Sequence, residues 1–229
     1  MHPWCRCTVK YTLMKKDEFL AQGGVLPESE LSSEETYKIT KKDTQNAYSV
    51  NREVVNSKAY HDKFEGLTEH KAANESLYQQ AKRLLEDRDG TDSERLILID
   101  SKTGELILDN FSYATNSALK TGITEEQYRL ANSREGGFII LHNHPASTRP
   151  SETDILTLWK ETKAKASVVV GHDGAVYCIS DVNREKGLDK TYKNAYNEYK
   201  GIGLDTETAK RKATDTLYES AAFRYQKTE

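Results

Sequence analysis

Apolar and polar positions alternate along this chain in two different rhythms. Between residues 95 and 180, short apolar runs are set off by turn residues, which is the pattern of strands. Residues 95–100 and 105–109 read as a hairpin around Ser101-Lys102-Thr103-Gly104. Thr124-Glu125-Glu126-Gln127 has the form of a capping box and predicts a helix running to about Arg134. Phe138-Ile139-Ile140-Leu141 follows Gly136-Gly137 as a continuous apolar run and predicts a buried strand reaching His142. A helix is expected from Ser151 to about Ala164, and residues 167–170 and 175–180 then form a second hairpin around Asp173-Gly174. Strand, strand, helix, strand, helix, strand, strand is the order of an α/β unit, a mixed β-sheet flanked by helices.

The flanks follow a helical period. Tyr60, Phe64 and Leu67 make one stripe, and Leu77, Ala81, Leu84 and Leu85 make another, so residues 56–87 are expected to be helices packed on the central unit. Before them, residues 9–58 are rich in Lys, Glu, Ser and Thr and broken at Gly23-Gly24 and Pro27. They read as a linker holding one short helix from Ser33 to Lys42. Beyond Val182, Leu188, Tyr192, Ala195, Tyr196 and Tyr199 share a helix face, which reads more readily as packing than as a partner surface. Gly201-Ile202-Gly203 interrupts it before a last helix carrying Ala209, Ala213, Leu217 and Ala221. The expected divisions are 1–58, 59–182 and a helical extension, 183–229.

Composition narrows the function classes. With 33 Lys and Arg against 36 Asp and Glu, the net charge of −3 gives no general attraction to nucleic acid. No window approaches a membrane span, and the residues after Met1 do not form a signal peptide. Three cysteines fit a reducing cytoplasm better than a disulfide framework, and Cys178, within a strand, reads as a buried small hydrophobe.

The chemistry concentrates in His142-Asn143-His144-Pro145 and Ser151-Glu152-Thr153-Asp154. Residues i and i+2 of an extended chain point to one side, so His142 and His144 present two imidazoles to one place. Asp154 falls on the first turn of the following helix. Two His and one carboxylate suit a catalytic zinc, because a fourth position stays open, although iron or manganese would accept the same set. Each residue also has an ordinary reading. Ser151 and Asp154 make a normal helix start, and two histidines can simply close a strand.

His142-x-His144-Pro145 followed by Ser151-x-x-Asp154 resembles the signature of the JAMM/MPN metalloproteases, and Asn143 resembles their RadC-like branch. The likeness spans residues 90 to 182. It implies the JAMM fold, related to the cytidine-deaminase-like arrangement, with zinc on His142, His144 and Asp154. It also implies that Glu94 moves the proton of the zinc-bound water and that Ser151 steadies the oxyanion. Glu105, on the partner strand, is a competing carboxylate, and His172 reads as a turn residue rather than a ligand. Five residues separate Pro145 from Ser151, fewer than the family usually has.

At the amino end, His2-Pro3-Trp4-Cys5-Arg6-Cys7 resembles the closing motif of phage Mu F-like minor head proteins. His2, Cys5 and Cys7 make only a weak metal set of their own. The expectation is a zinc metallopeptidase or isopeptidase acting on a protein or peptide substrate. Its setting would be a phage or prophage programme in the host cytoplasm or virion. A non-catalytic head-assembly protein, with head or portal partners, and a RadC-like DNA-associated protein are the alternatives.

Overall fold

The computed structural model describes residues 48–109 and 125–228. The amino-terminal head-protein motif with His2, Cys5 and Cys7, the helix expected at 33–42 and the capping position Thr124 lie outside these residues. Helices α1 (Arg52–Val55), α2 (Lys58–Asp62) and α3 (Lys71–Arg88) lead into strands β1 (Leu96–Asp100) and β2 (Leu106–Asp109). Helix α4 (Glu125–Asn132), strand β3 (Phe138–His144), helix α5 (Glu152–Lys160) and strands β4 (Ala164–Gly171) and β5 (Val176–Ser180) follow. The chain ends with α6 (Leu188–Gly201), α7 (Thr206–Glu219) and strand β6 (Arg224–Thr228).

The six strands form one mixed sheet in the order β2-β1-β3-β4-β5-β6. Only β3 and β4 run parallel, joined through α5, while the other neighbours are antiparallel. The α/β class read from the sequence is thus the architecture observed. All seven residues of β3 are buried, and its alternation sorts them onto two faces. Ile139 and Leu141 join Leu77, Ala81, Leu84 and Leu85 of α3 in one core. Phe138 and Ile140 join Ile155 and Leu158 of α5, with Leu188 and Leu217 from α6 and α7, in the other.

Several boundaries differ from the sequence reading. The stretch assigned to a linker up to residue 58 enters the fold earlier, because Val50 and Val55 are buried in the α3-side core. The two innermost strands are longer: β3 continues through His144, and β4 starts at Ala164, where a helix was expected. The carboxyl-terminal extension is not wholly helical. Helix α7 stops at Glu219, Ala221 turns the chain with φ 47°, and β6 pairs antiparallel with β5 at the sheet edge. Of the α6 tyrosines, Tyr192 packs against the α5-side core and stacks with Tyr196 at 6.4 Å. Among the described residues no helix is long and apolar enough to cross a membrane.

Helix α5 is closed at its far end by a distant side chain. Arg184 donates to the carbonyls of Leu158 (2.8 Å), Glu161 (3.0 Å) and Ala164 (3.1 Å), and also to Trp159. The last carbonyls of a helix have no partner within it, and a guanidinium there also opposes the helix dipole. Replacing Arg184 by Met should lower unfolding free energy by about 2 kcal/mol, the scale of charged hydrogen bonds lost, as read by urea denaturation; an unchanged midpoint would show that water caps α5 equally well.

Candidate metal centre

The strand alternation that buries Phe138 and Ile140 continues to His142 and His144, so both imidazoles emerge on the α5 side. Asp154 meets them from the first turn of α5, where Ser151 is the N-cap in a reciprocal capping box. The Ser151 backbone N–H and hydroxyl both donate to Asp154 Oδ2, at 2.6 and 2.8 Å. This grip aims the carboxylate at the histidines. His142 Nε2 lies 3.2 Å from Asp154 Oδ1, His144 Nε2 lies 3.4 Å from Oδ2, and the two Nε2 atoms are 3.2 Å apart.

These separations test whether a metal fits. Donor atoms at the corners of a tetrahedron with bonds of about 2.0–2.1 Å lie about 3.3–3.4 Å from one another. The three donors therefore already have the spacing that one small ion requires, and they form a buried group able to hold it. The outer ring atoms agree. His144 Nδ1 donates to the Thr148 carbonyl at 2.9 Å, leaving its Nε2 lone pair directed inward. His142 Nδ1 is buried without a hydrogen-bond partner, so that ring is oriented by what its Nε2 meets.

The electrostatics tell the same story for the metal-free protein. Burial opposes a charge on His144, but the hydrogen bond and charge of Asp154, with Glu94 behind, push its pKa up to about 9. Burial likewise disfavours the Asp154 carboxylate, yet the two imidazoles hold it well below the usual range. A proton on His144 occupies the place that a cation would take.

Glu94 stands just ahead of β1 with Oε1 3.9 Å from His144 Nε2. Register explains this: Leu96 pairs with His142 across the β1–β3 ladder, so residue 94 falls level with His144 and on its side of the sheet. Glu105 is elsewhere, in an ion pair with Arg134 at 2.7 Å. The structure thus brings together Glu94, His142, His144 and Asp154, with Ser151 touching the cluster through Asp154. A cleft of about 350 Å³ opens beside them, with Leu96, Leu98 and Ile140 on its sheet side and Thr157 on its helix side.

His172 sits in the β4–β5 turn, apart from the metal group but buried. The sequence reading missed its hydrogen bond to Asn143, and it missed Thr148, whose carbonyl and hydroxyl oxygens both lie within hydrogen-bond distance of His144 Nδ1. A second set of possible ligands, His61, Asp62 and Glu65, lies at the surface. There Asp62 is already paired with Lys58 at 2.8 Å, and His61 with Glu75 at 3.0 Å.

No protein-family model, curated protein or solved structure matches this chain.

A raised His144 pKa stabilises the folded metal-free chain below its ordinary value of 6.5, and that contribution disappears as pH climbs through about 9. Asp154, with its depressed pKa, contributes above its ordinary 3.8 and ceases to do so on acidification. The metal-stripped protein should therefore lose thermal stability between pH 6.5 and 9, and His144→Gln should flatten that slope. Metal uptake at pH 7 should release about one proton per ion, measurable by calorimetry in buffers of different ionisation enthalpy; uptake without proton release would refute this charge assignment.

Proposed function

We propose that this chain is a zinc-dependent metallopeptidase or isopeptidase of the JAMM, RadC-like kind. The observation that carries the reading is the tetrahedral spacing of His142, His144 and Asp154 with Glu94 beside them. The motif residues quoted above support the family, and the neighbouring cleft supports access for a substrate.

His142 Nε2, His144 Nε2 and an Asp154 oxygen would hold the ion. When bound, zinc supplies the Lewis acidity that makes water a nucleophile near neutral pH. Glu94 accepts a proton from the attacking water at Oε1 and delivers it to the leaving amine. Ser151 orients Asp154, its hydroxyl proton being given to that carboxylate; to meet an oxyanion it turns this proton toward the substrate. Association with phage heads rests on the amino-terminal motif alone, and the substrate we assign is an amide bond in a protein.

Wild type prepared without added metal should carry about one zinc per chain, and His142→Ala/His144→Ala should carry none, by elemental mass spectrometry. Glu94→Gln should retain zinc and lose about 10²- to 10⁴-fold in hydrolysis of a peptide and isopeptide library. A zinc-loaded wild type that cuts no member of the library would leave a binding module in place of the enzyme.

A further inference from the structure

Glu94 must be held accurately to work, yet it lies beyond the sheet. The β1–β3 register runs from the Asp100–Phe138 pair to the Leu96–His142 pair, and residues 93–95 lie just ahead of it. A side chain of β3 reaches this segment. Arg95 N–H donates to Asn143 Oδ1 at 2.9 Å, and Asn143 Nδ2 donates to the Ser93 carbonyl at 3.1 Å. Asn143 therefore grips the backbone on either side of Glu94.

Asn143 is itself fixed from behind. Its Nδ2 also donates to His172 Nε2 at 3.1 Å, while His172 Nδ1 donates to the Tyr48 carbonyl at 2.6 Å. Both amide hydrogens and the amide oxygen of Asn143 are thus engaged, which leaves one orientation of the group. Asn143 is 0 % exposed and His172 2 %. Burial lowers the His172 pKa, which keeps the neutral ring that can accept from an amide. On the next residue, Arg95 pairs with Asp87 at 2.8 Å and Asp109 at 2.6 Å, tying the same segment to α3 and β2.

We propose that Asn143, backed by His172, is a positioning residue that sets Glu94 against the metal centre. The inference rests on the metal-centre reading above. The Asn143 side chain hydrogen-bonds to Arg95, Ser93 and His172 and does not line the cleft; it acts through the backbone of residues 93–95, as outer-shell groups act on the ligands they orient.

The test uses the full chain loaded with cobalt(II), whose visible spectrum senses groups near the ion, together with hydrogen exchange of the Arg95 amide. Asn143→Ala should keep one cobalt per chain, shift the spectrum toward that of Glu94→Gln, and speed Arg95 exchange. Turnover of any substrate found should fall about 10- to 100-fold. In the Glu94→Gln background, Asn143→Ala should add no further spectral change, because both variants remove one effect. His172→Gln keeps an acceptor and should resemble wild type, whereas His172→Leu should resemble Asn143→Ala; this pair decides the matter if Asn143→Ala does not fold. Equal spectral shifts in both backgrounds, or none in either, would overturn the positioning role while leaving the metal centre intact. Wild type that binds no cobalt would overturn the centre and this role together.

Discussion

Strand β3 is the constraint on which the rest of this structure depends. All seven of its residues are buried and both of its faces are covered, by α3 on one side and α5 on the other. Its first four residues are apolar and form the middle of two cores. The last three, His142, Asn143 and His144, are polar groups at the same depth. Buried polar atoms are tolerated only when partners are supplied, so the strand end forces its surroundings to become a network. The α5 side answers with Asp154 and Glu94, and the α3 side with His172 and the backbone of residues 93–95.

Helix α5 resolves two demands with one residue. Its first turn needs acceptors for free N–H groups, and Ser151 and Asp154 provide the capping box. The same carboxylate faces both imidazoles. Capping the helix and facing the histidines are therefore compatible roles for Asp154: the Ser151 grip on Oδ2 fixes the rotation of the carboxylate. Arg184 secures the opposite end of the helix, and with it the position of the first turn.

The loop between β3 and α5 is short, and the carboxyl-terminal segment holds it. Tyr218 donates to the Pro150 carbonyl at 2.7 Å, Tyr177 donates to the Ser147 carbonyl at 3.2 Å, and Arg149 pairs with Asp215. Ser147, at φ 54°, bends the chain so that the Thr148 carbonyl returns to His144. Helix α7 and strand β5 thus contribute, through this loop, to the orientation of the His144 imidazole. The residues after Val182 belong to the scaffold of the site.

Several parts of this arrangement were legible in the sequence, because they depend on local periodicity. Alternation placed His142 and His144 on one side of a strand, the Ser-x-x-Asp spacing placed Asp154 on a first helical turn, and apolar runs located the five central strands. Strand β6 was not legible. Arg224-Tyr225-Gln226-Lys227-Thr228 has no apolar alternation, since an edge strand is held by its backbone ladder and can remain polar. Glu94 and Glu105, one ahead of each strand of the first hairpin, were both possible acids; only the β1–β3 register put the first level with His144, while the second pairs with Arg134. Asn143 showed the same limit more sharply. Its identity was plain, but its three hydrogen bonds reach residues 93, 95 and 172, far apart along the chain, and only tertiary structure brings such groups together.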